Sequence, residues 1–154
     1  MAGLSIGYIN LRKSKVASEN LSKVSDRDVE LITEPYSYKD NVRCLGSSRT
    51  LFQPTAFTLP VCVWVKNSLN LWQVEEYTSR DVCTVAMERK GKVVYLAAVY
   101  LDIDDPPAVG VWVDLVKHCN RREIPLLLCM DCMDSVMPIV PCGTVTTATR
   151  GARS

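Results

Sequence analysis

The chain has 154 residues, 47% of them hydrophobic and 23% charged, with 18 Lys and Arg against 17 Asp and Glu. That composition belongs to a globular domain and excludes a disordered or fibrous segment, and a formal charge of +1 argues against nucleic-acid binding by global electrostatics, which calls for a strongly basic chain. Seven cysteines and a single histidine, His118, argue against a fully paired disulfide framework and confine any histidine-dependent step to one residue.

No signal-peptide arrangement opens the sequence, and the longest uncharged apolar run, Val93–Leu101, falls far short of the roughly 20 residues a membrane helix needs. A soluble intracellular protein without a membrane partner is expected. Leu4–Asn10 reads as a short strand, and Leu11–Val24 as a helix with Val16, Ala17, Leu21 and Val24 near one face. Val29–Thr33 is a second strand, closed by Glu34-Pro35-Tyr36, where proline restricts the preceding residue to extended geometry. From Ser37 to Pro60 the chain is polar and broken by Gly46, Pro54 and Pro60, which predicts loop with one short strand around Leu51.

Apolar, β-branched runs follow at Val61–Val65, Leu71–Glu76, Val82–Met87 and Val93–Leu101. The last two read as a hairpin, with Gly91 supplying the positive φ of its turn. Asp104-Asp105-Pro106-Pro107 resembles a helix start, and Val109, Val113, Val116 and Cys119 recur at helical spacing, which predicts a helix over Pro107–Asn120. The near-continuous apolar run Pro125–Met130 suits a strand buried on both faces and ends at Asp131. Residues 1–140 are expected to form the domain, and residues 141–154, small, polar and basic, an irregular tail.

An α/β layering follows, and Asn10, Glu34, Tyr100 and Asp131 each fall at or near the C-terminal end of a predicted strand. Such ends lie along one rim of a layered fold, where polar side chains are common whether or not they act together. Arg12, Lys13, Lys15 and Lys23 make the first helix basic, either a solvated face or a surface for a phosphate backbone. Cys129-x-x-Cys132, with His118, Cys119 and Cys142, raises a zinc reading, but no second Cys pair completes the usual ligand set.

The order of these motifs resembles the endonuclease/exonuclease/phosphatase superfamily, most closely the apurinic-endonuclease-like domain of non-LTR retrotransposons. Ile9-Asn10-Leu11 with Lys13-Ser14 is similar to the family's opening strand, and Thr33-Glu34-Pro35-Tyr36 to its QEPY segment, with Thr33 in place of glutamine. Arg80-Asp81-Val82, Val99-Tyr100, Leu126–Asp131 and the Thr147–Gly151 segment TATRG match later motifs in the same order. The resemblance implies part of a four-layer, DNase I-like α/β sandwich of two mostly antiparallel sheets flanked by helices, incomplete at its C-terminus. It implies an Mg²⁺-dependent endonuclease (Mn²⁺ as substitute) that hydrolyses DNA phosphodiesters, with Glu34 on the metal, Asn10 supporting Glu34, Asp131 orienting water and Tyr100 on the phosphate. Arg12, Lys13 and Lys15 would meet the DNA backbone; a downstream reverse transcriptase and a nuclear location are implied for the full-length protein.

The chain departs from the pattern at Met133, where the family has asparagine, at Asp134 and Ser135, and at Ala148, and its one histidine lies upstream of Asp131 rather than in a C-terminal Asp-His pair. Methionine offers no amide donor. These departures imply impaired activity, and they leave open a non-catalytic remnant that binds nucleic acid or protein, and a small-molecule or lipid phosphodiesterase or phosphatase of the same superfamily.

Overall fold

The structure, a computed structural model, describes residues 4–39, 41–54, 60–101, 110–132 and 145–148. In chain order these form β1 (Ile6–Asn10), α1 (Lys15–Val24), β2 (Val29–Thr33), β3 (Ser37–Tyr38), β4 (Asn41–Val42), β5 (Arg49–Phe52), β6 (Val61–Lys66), β7 (Leu71–Gln73), a single 3₁₀ turn at Glu75–Tyr77, β8 (Val82–Arg89), β9 (Lys92–Leu101), α2 (Gly110–Arg122), β10 (Leu126–Cys132) and β11 (Val145–Ala148).

Two sheets result. One has the order β1-β2-β6-β5, the other β11-β10-β9-β8-β7, and β3 pairs only with β4. Parallel strands need a crossover, and α1 supplies it between β1 and β2, as α2 does within the segment joining β9 and β10. The β8–β9 turn has Lys90 at φ 55° and Gly91 at φ 76°, the doubly left-handed turn that matches strand twist.

Alternation along the strands builds the layers. In β9, Leu96 and Ala98 face the other sheet and, with Val85 and Cys129 of their own sheet, pack against its Tyr8, Leu31 and Val63, whereas Ala97 and Val99 pack with Leu115, Val116 and Cys119 of α2. On the far side, Ala17 and Leu21 of α1 cover Ile32, Cys62 and Trp64. The order is therefore α1, sheet, sheet, α2. Leu31, Ile32, Leu96 and Leu128 are at most 1% exposed, each burial stabilising the fold by about 1.5–3 kcal/mol.

Several expectations change. The first helix starts at Lys15, capped by Ser14 Oγ accepting from Ala17 N at 3.0 Å, because Arg12 and Lys13 adopt φ 51° and 57° and cannot begin it. Its buried face is Ala17, Ser18 and Leu21, and Val16 and Val24 are exposed. Leu71–Glu76 is a three-residue strand followed by the 3₁₀ turn, and the polar stretch after Pro35 contains the β3–β4 hairpin as well as β5. Within the tail read as irregular, Val145–Ala148 instead pairs in parallel with β10, with Leu126 opposite Val145. The predicted helix start at Asp104–Pro107 lies outside the described residues, and α2 runs on to Arg122.

A candidate site at the C-terminal rim of both sheets

Pairing fixes one cross-section through the sandwich. Tyr8 stands opposite Leu31, Leu31 opposite Val63 and Val63 opposite Phe52; in the other sheet Cys83 stands opposite Ala98 and Ala98 opposite Cys129. The two halves meet where Cys83 Sγ donates to Phe52 O at 3.5 Å and lies against the Val63 backbone.

The relative direction of the sheets follows from the link between β6 and β7, which is only Asn67–Asn70. Five Cα steps span at most about 17 Å. If β2 and β9 ran in the same sense, Lys66 and Leu71 would lie on the same side of the cross-section, about 11 Å apart given strand rise and sheet spacing. Opposite senses would separate them by roughly 26 Å, beyond reach. The turn donated by Leu69 N to Lys66 O at 3.2 Å shortens the link further. The C-terminal ends of β1, β2, β9 and β10 therefore lie on one rim.

Asn10, Thr33, Tyr100 and Asp131 each lie two residues beyond that cross-section, Asn10 paired with Thr33 and Tyr100 with Asp131. Asn10 is 6% exposed, and its Oδ1 accepts from Arg12 N at 2.7 Å. Ser14 N donates to Leu11 O at 2.9 Å, which closes a turn whose central residues, Arg12 and Lys13, are both left-handed. Asn-Gly usually fills such a turn; here two cations do, held by Asn10 on one side and by Lys13 N donating to Glu34 O at 2.7 Å on the other.

Glu34 also differs from expectation. Its φ is 49°, not extended, a conformation that costs a non-glycine residue about 1–2 kcal/mol. It persists because both sides of the residue are tied, Glu34 N donating to Pro60 O at 2.6 Å and Glu34 O accepting from Lys13 N. The side chain is half-buried, and among the described residues its carboxylate accepts no hydrogen bond and meets no cation. Strained backbone persists where the surrounding structure over-determines it, and three left-handed residues, Arg12, Lys13 and Glu34, gather at this corner.

At the other end of the rim Tyr100 packs against the inter-sheet core, and its N–H donates to Asp81 O at 2.9 Å. Arg80 and Asp81 occupy the tip of a turn closed by Ser79 N to Val82 O at 2.8 Å. Sequence reasoning noted this pair only as a motif, although an Arg-Asp dipeptide just before an apolar strand is a legible sign of a charged strand-start turn. Arg12, Lys13 and Lys15 are exposed and make no ion pair among the described residues. His118 is elsewhere: it stacks at 5.1 Å on Tyr77 and 6.0 Å on Tyr95, and Tyr95 pairs with Leu126 five residues before Tyr100 and Asp131, about 16 Å along the strands. Cys119, on α2, packs against the outer face of the second sheet and Cys129 belongs to the inter-sheet core, so the sheet lies between the two thiols. Burial pushes the Cys129 thiol up to about 12 and Cys119 up to about 11.

The Glu34 carboxylate is an oxygen donor of the type a hard divalent ion takes.

The endonuclease domain of TRAS1, a telomere-specific non-LTR retrotransposon, superimposes with a TM-score of 0.64 at 20% identity over 84% of this chain and 58% of that one. The shared fold is a DNase I-like α/β sandwich. The human Nocturnin catalytic domain with bound sulfate gives a TM-score of 0.46 at 17% identity over 78% of this chain and 56% of that one. An endonuclease/exonuclease/phosphatase family protein from Leptotrichia buccalis gives 0.47 at 9% identity over 84% and 66%. No protein-family model and no curated protein matches the sequence. Met133, Asp134, Ser135, Cys142, Arg150 and Gly151, on which parts of the sequence reading rest, lie outside the described residues. No helix among the described residues is long and apolar enough to cross a membrane.

Proposed function

We propose that the chain is a metal-dependent, phosphodiester-hydrolysing endonuclease domain acting on DNA, derived from a retrotransposon and impaired in activity. The observation that carries this reading is the common rim, where Asn10, Glu34, Tyr100 and Asp131 stand at the ends of four parallel-running strands drawn from both sheets. The likeness to the endonuclease domain of a non-LTR retrotransposon supports a nucleic-acid substrate; DNA as that substrate and a downstream reverse transcriptase in the full-length protein belong to the same reading. A nuclear place of action is part of the same reading.

In this reading Glu34 holds Mg²⁺, or Mn²⁺ in its place, and the ion when bound offsets negative charge on the phosphoryl oxygens. Asn10 holds the left-handed turn that fixes Glu34 through its carbonyl. Tyr100 steadies the phosphate, Asp131 orients the attacking water, and Arg12, Lys13 and Lys15 draw in the DNA backbone. Met133 in place of asparagine removes a phosphate donor, a loss worth about 10²- to 10³-fold.

A non-catalytic nucleic-acid-binding module is the second reading, favoured by Met133 and by the placement of the sole histidine on α2 away from the rim. Supercoiled plasmid incubated with Mg²⁺ separates the two. Slow nicking that EDTA and Glu34→Ala both abolish is the expected result; plasmid left intact at high enzyme concentration, with duplex binding retained, replaces the first reading by the second.

A further inference from the structure

We infer that a second binding site, separate from the rim, lies beside the C-terminal end of α1, where the Glu30 carboxylate takes the ammonium group of a small aliphatic amine in place of the Arg27 guanidinium. The inference goes beyond the proposed function and does not rest on it. Val29 and Leu31 of β2 belong to the inter-sheet core, so Glu30 between them points to the α1 side of the sheet. It precedes Thr33 by three residues, about 10 Å along the strand from the rim. Glu30 lines a cavity of about 410 Å³, a volume within the usual range of small-ligand pockets. Glycine in β1 makes room for the carboxylate: a Cβ on Gly7, which stands opposite Glu30, would overlap both Glu30 Oε1 and Arg27 Nη1.

The carboxylate is anchored through one oxygen. Oε2 accepts from Ser25 Oγ at 2.7 Å, and Arg49 fixes that segment, Nη1 donating to Arg27 O at 2.6 Å and Nη2 to Ser25 O at 2.9 Å while the guanidinium lies over the Trp64 ring at 4.4 Å. Oε1 is buried and makes no hydrogen bond among the described residues. Arg27 Nη1 stands 3.7 Å from it, an ion pair too long for a hydrogen bond. A buried acceptor left unbonded is costly, and an ammonium brought to Oε1 satisfies it. Arg27 is the half of the pair that can yield its place, because its side chain is 53% exposed whereas that of Glu30 is 3% exposed. Ile9, Leu21 and Val24 line the same cavity, with Asp26 beside them. Apolar walls around a fixed carboxylate suit an alkyl chain that carries a positive charge, not a bare hydrated ion.

The test is titration of the ¹⁵N-labelled protein with n-pentylamine, with pentan-1-ol as the neutral control, followed by amide chemical shifts that also report the folding of each variant. Saturable shifts at Gly7, Ser25, Arg27 and Glu30 are expected with the amine and not with the alcohol. Glu30→Gln should weaken amine binding about tenfold, as loss of a charge-assisted hydrogen bond predicts. Arg27→Gln, which removes the competing guanidinium, should tighten it. Equal binding of amine and alcohol, binding unchanged in Glu30→Gln, weaker binding in Arg27→Gln, or no saturable shifts in the millimolar range each overturns the assignment. The same amides shifting with Mg²⁺ but not with pentylamine overturns it too.

Discussion

Replacing Glu34 by glycine is expected to stabilise the fold while abolishing metal-dependent activity, and the comparison with Glu34→Ala isolates the cause. Both variants lack the carboxylate, which makes no protein hydrogen bond or ion pair among the described residues, so little side-chain interaction is lost in either. They differ in backbone. At φ 49° alanine keeps the left-handed penalty of about 1–2 kcal/mol, and glycine removes it at an entropic cost of about 0.5–1 kcal/mol. Glu34→Gly should therefore exceed Glu34→Ala by about 0.5–1 kcal/mol, and the wild type by a similar margin. In a domain of this size that is a rise in Tm of about 1–4 °C. Equilibrium urea unfolding reads the difference as a shift in midpoint at constant slope. A Glu34→Gly midpoint at or below that of Glu34→Ala would refute the claim that strain is stored at the proposed metal ligand. Nicking activity should vanish in both, so that a gain in stability accompanies a loss of function.

The turn beside Glu34 makes a related prediction. Asn10→Ala removes the acceptor for Arg12 N, bonded at 2.7 Å, and leaves that donor unpaired at a cost of about 2 kcal/mol. Asn10→Asp, which keeps the acceptor oxygen, should lose less than half as much in the same urea assay, and equal losses would show that Asn10 acts by another route. Thiol chemistry offers an independent check on the layers: burial raises the Cys83 and Cys129 thiols to about 12 and pushes Cys62 up as well. At pH 8 these remain protonated and unreactive, so iodoacetamide followed by peptide mass mapping should label the half-exposed Cys44 well before any of the three. Early modification of Cys83 would contradict its place between the sheets.

Much of this arrangement was legible from local pattern. The apolar, β-branched runs of β2, β6 and β8–β9, the Lys90-Gly91 turn and the doubly buried run of β10 follow from periodicity and turn chemistry, because burial on one or both faces leaves its mark residue by residue. The strand-end positions of Asn10, Glu34, Tyr100 and Asp131 followed from the same runs. Local pattern misread the start of α1 and the exposure of Val16 and Val24, since the helical face is decided by how α1 seats on Ile32 and Trp64. It also misread Glu34, where bonds to Pro60 and Lys13 override the extended preference of a residue before proline.

The sequence by itself determined which segments are strands and where polar side chains interrupt them. Tertiary structure alone decided that those interruptions share a rim, because that depends on pairing between distant segments and on a four-residue link too short to let the sheets run in opposite senses. It also tied the Arg80-Asp81 turn to that rim, Asp81 O accepting from Tyr100 N at 2.9 Å, a contact set by the pairing of β8 with β9 rather than by local pattern.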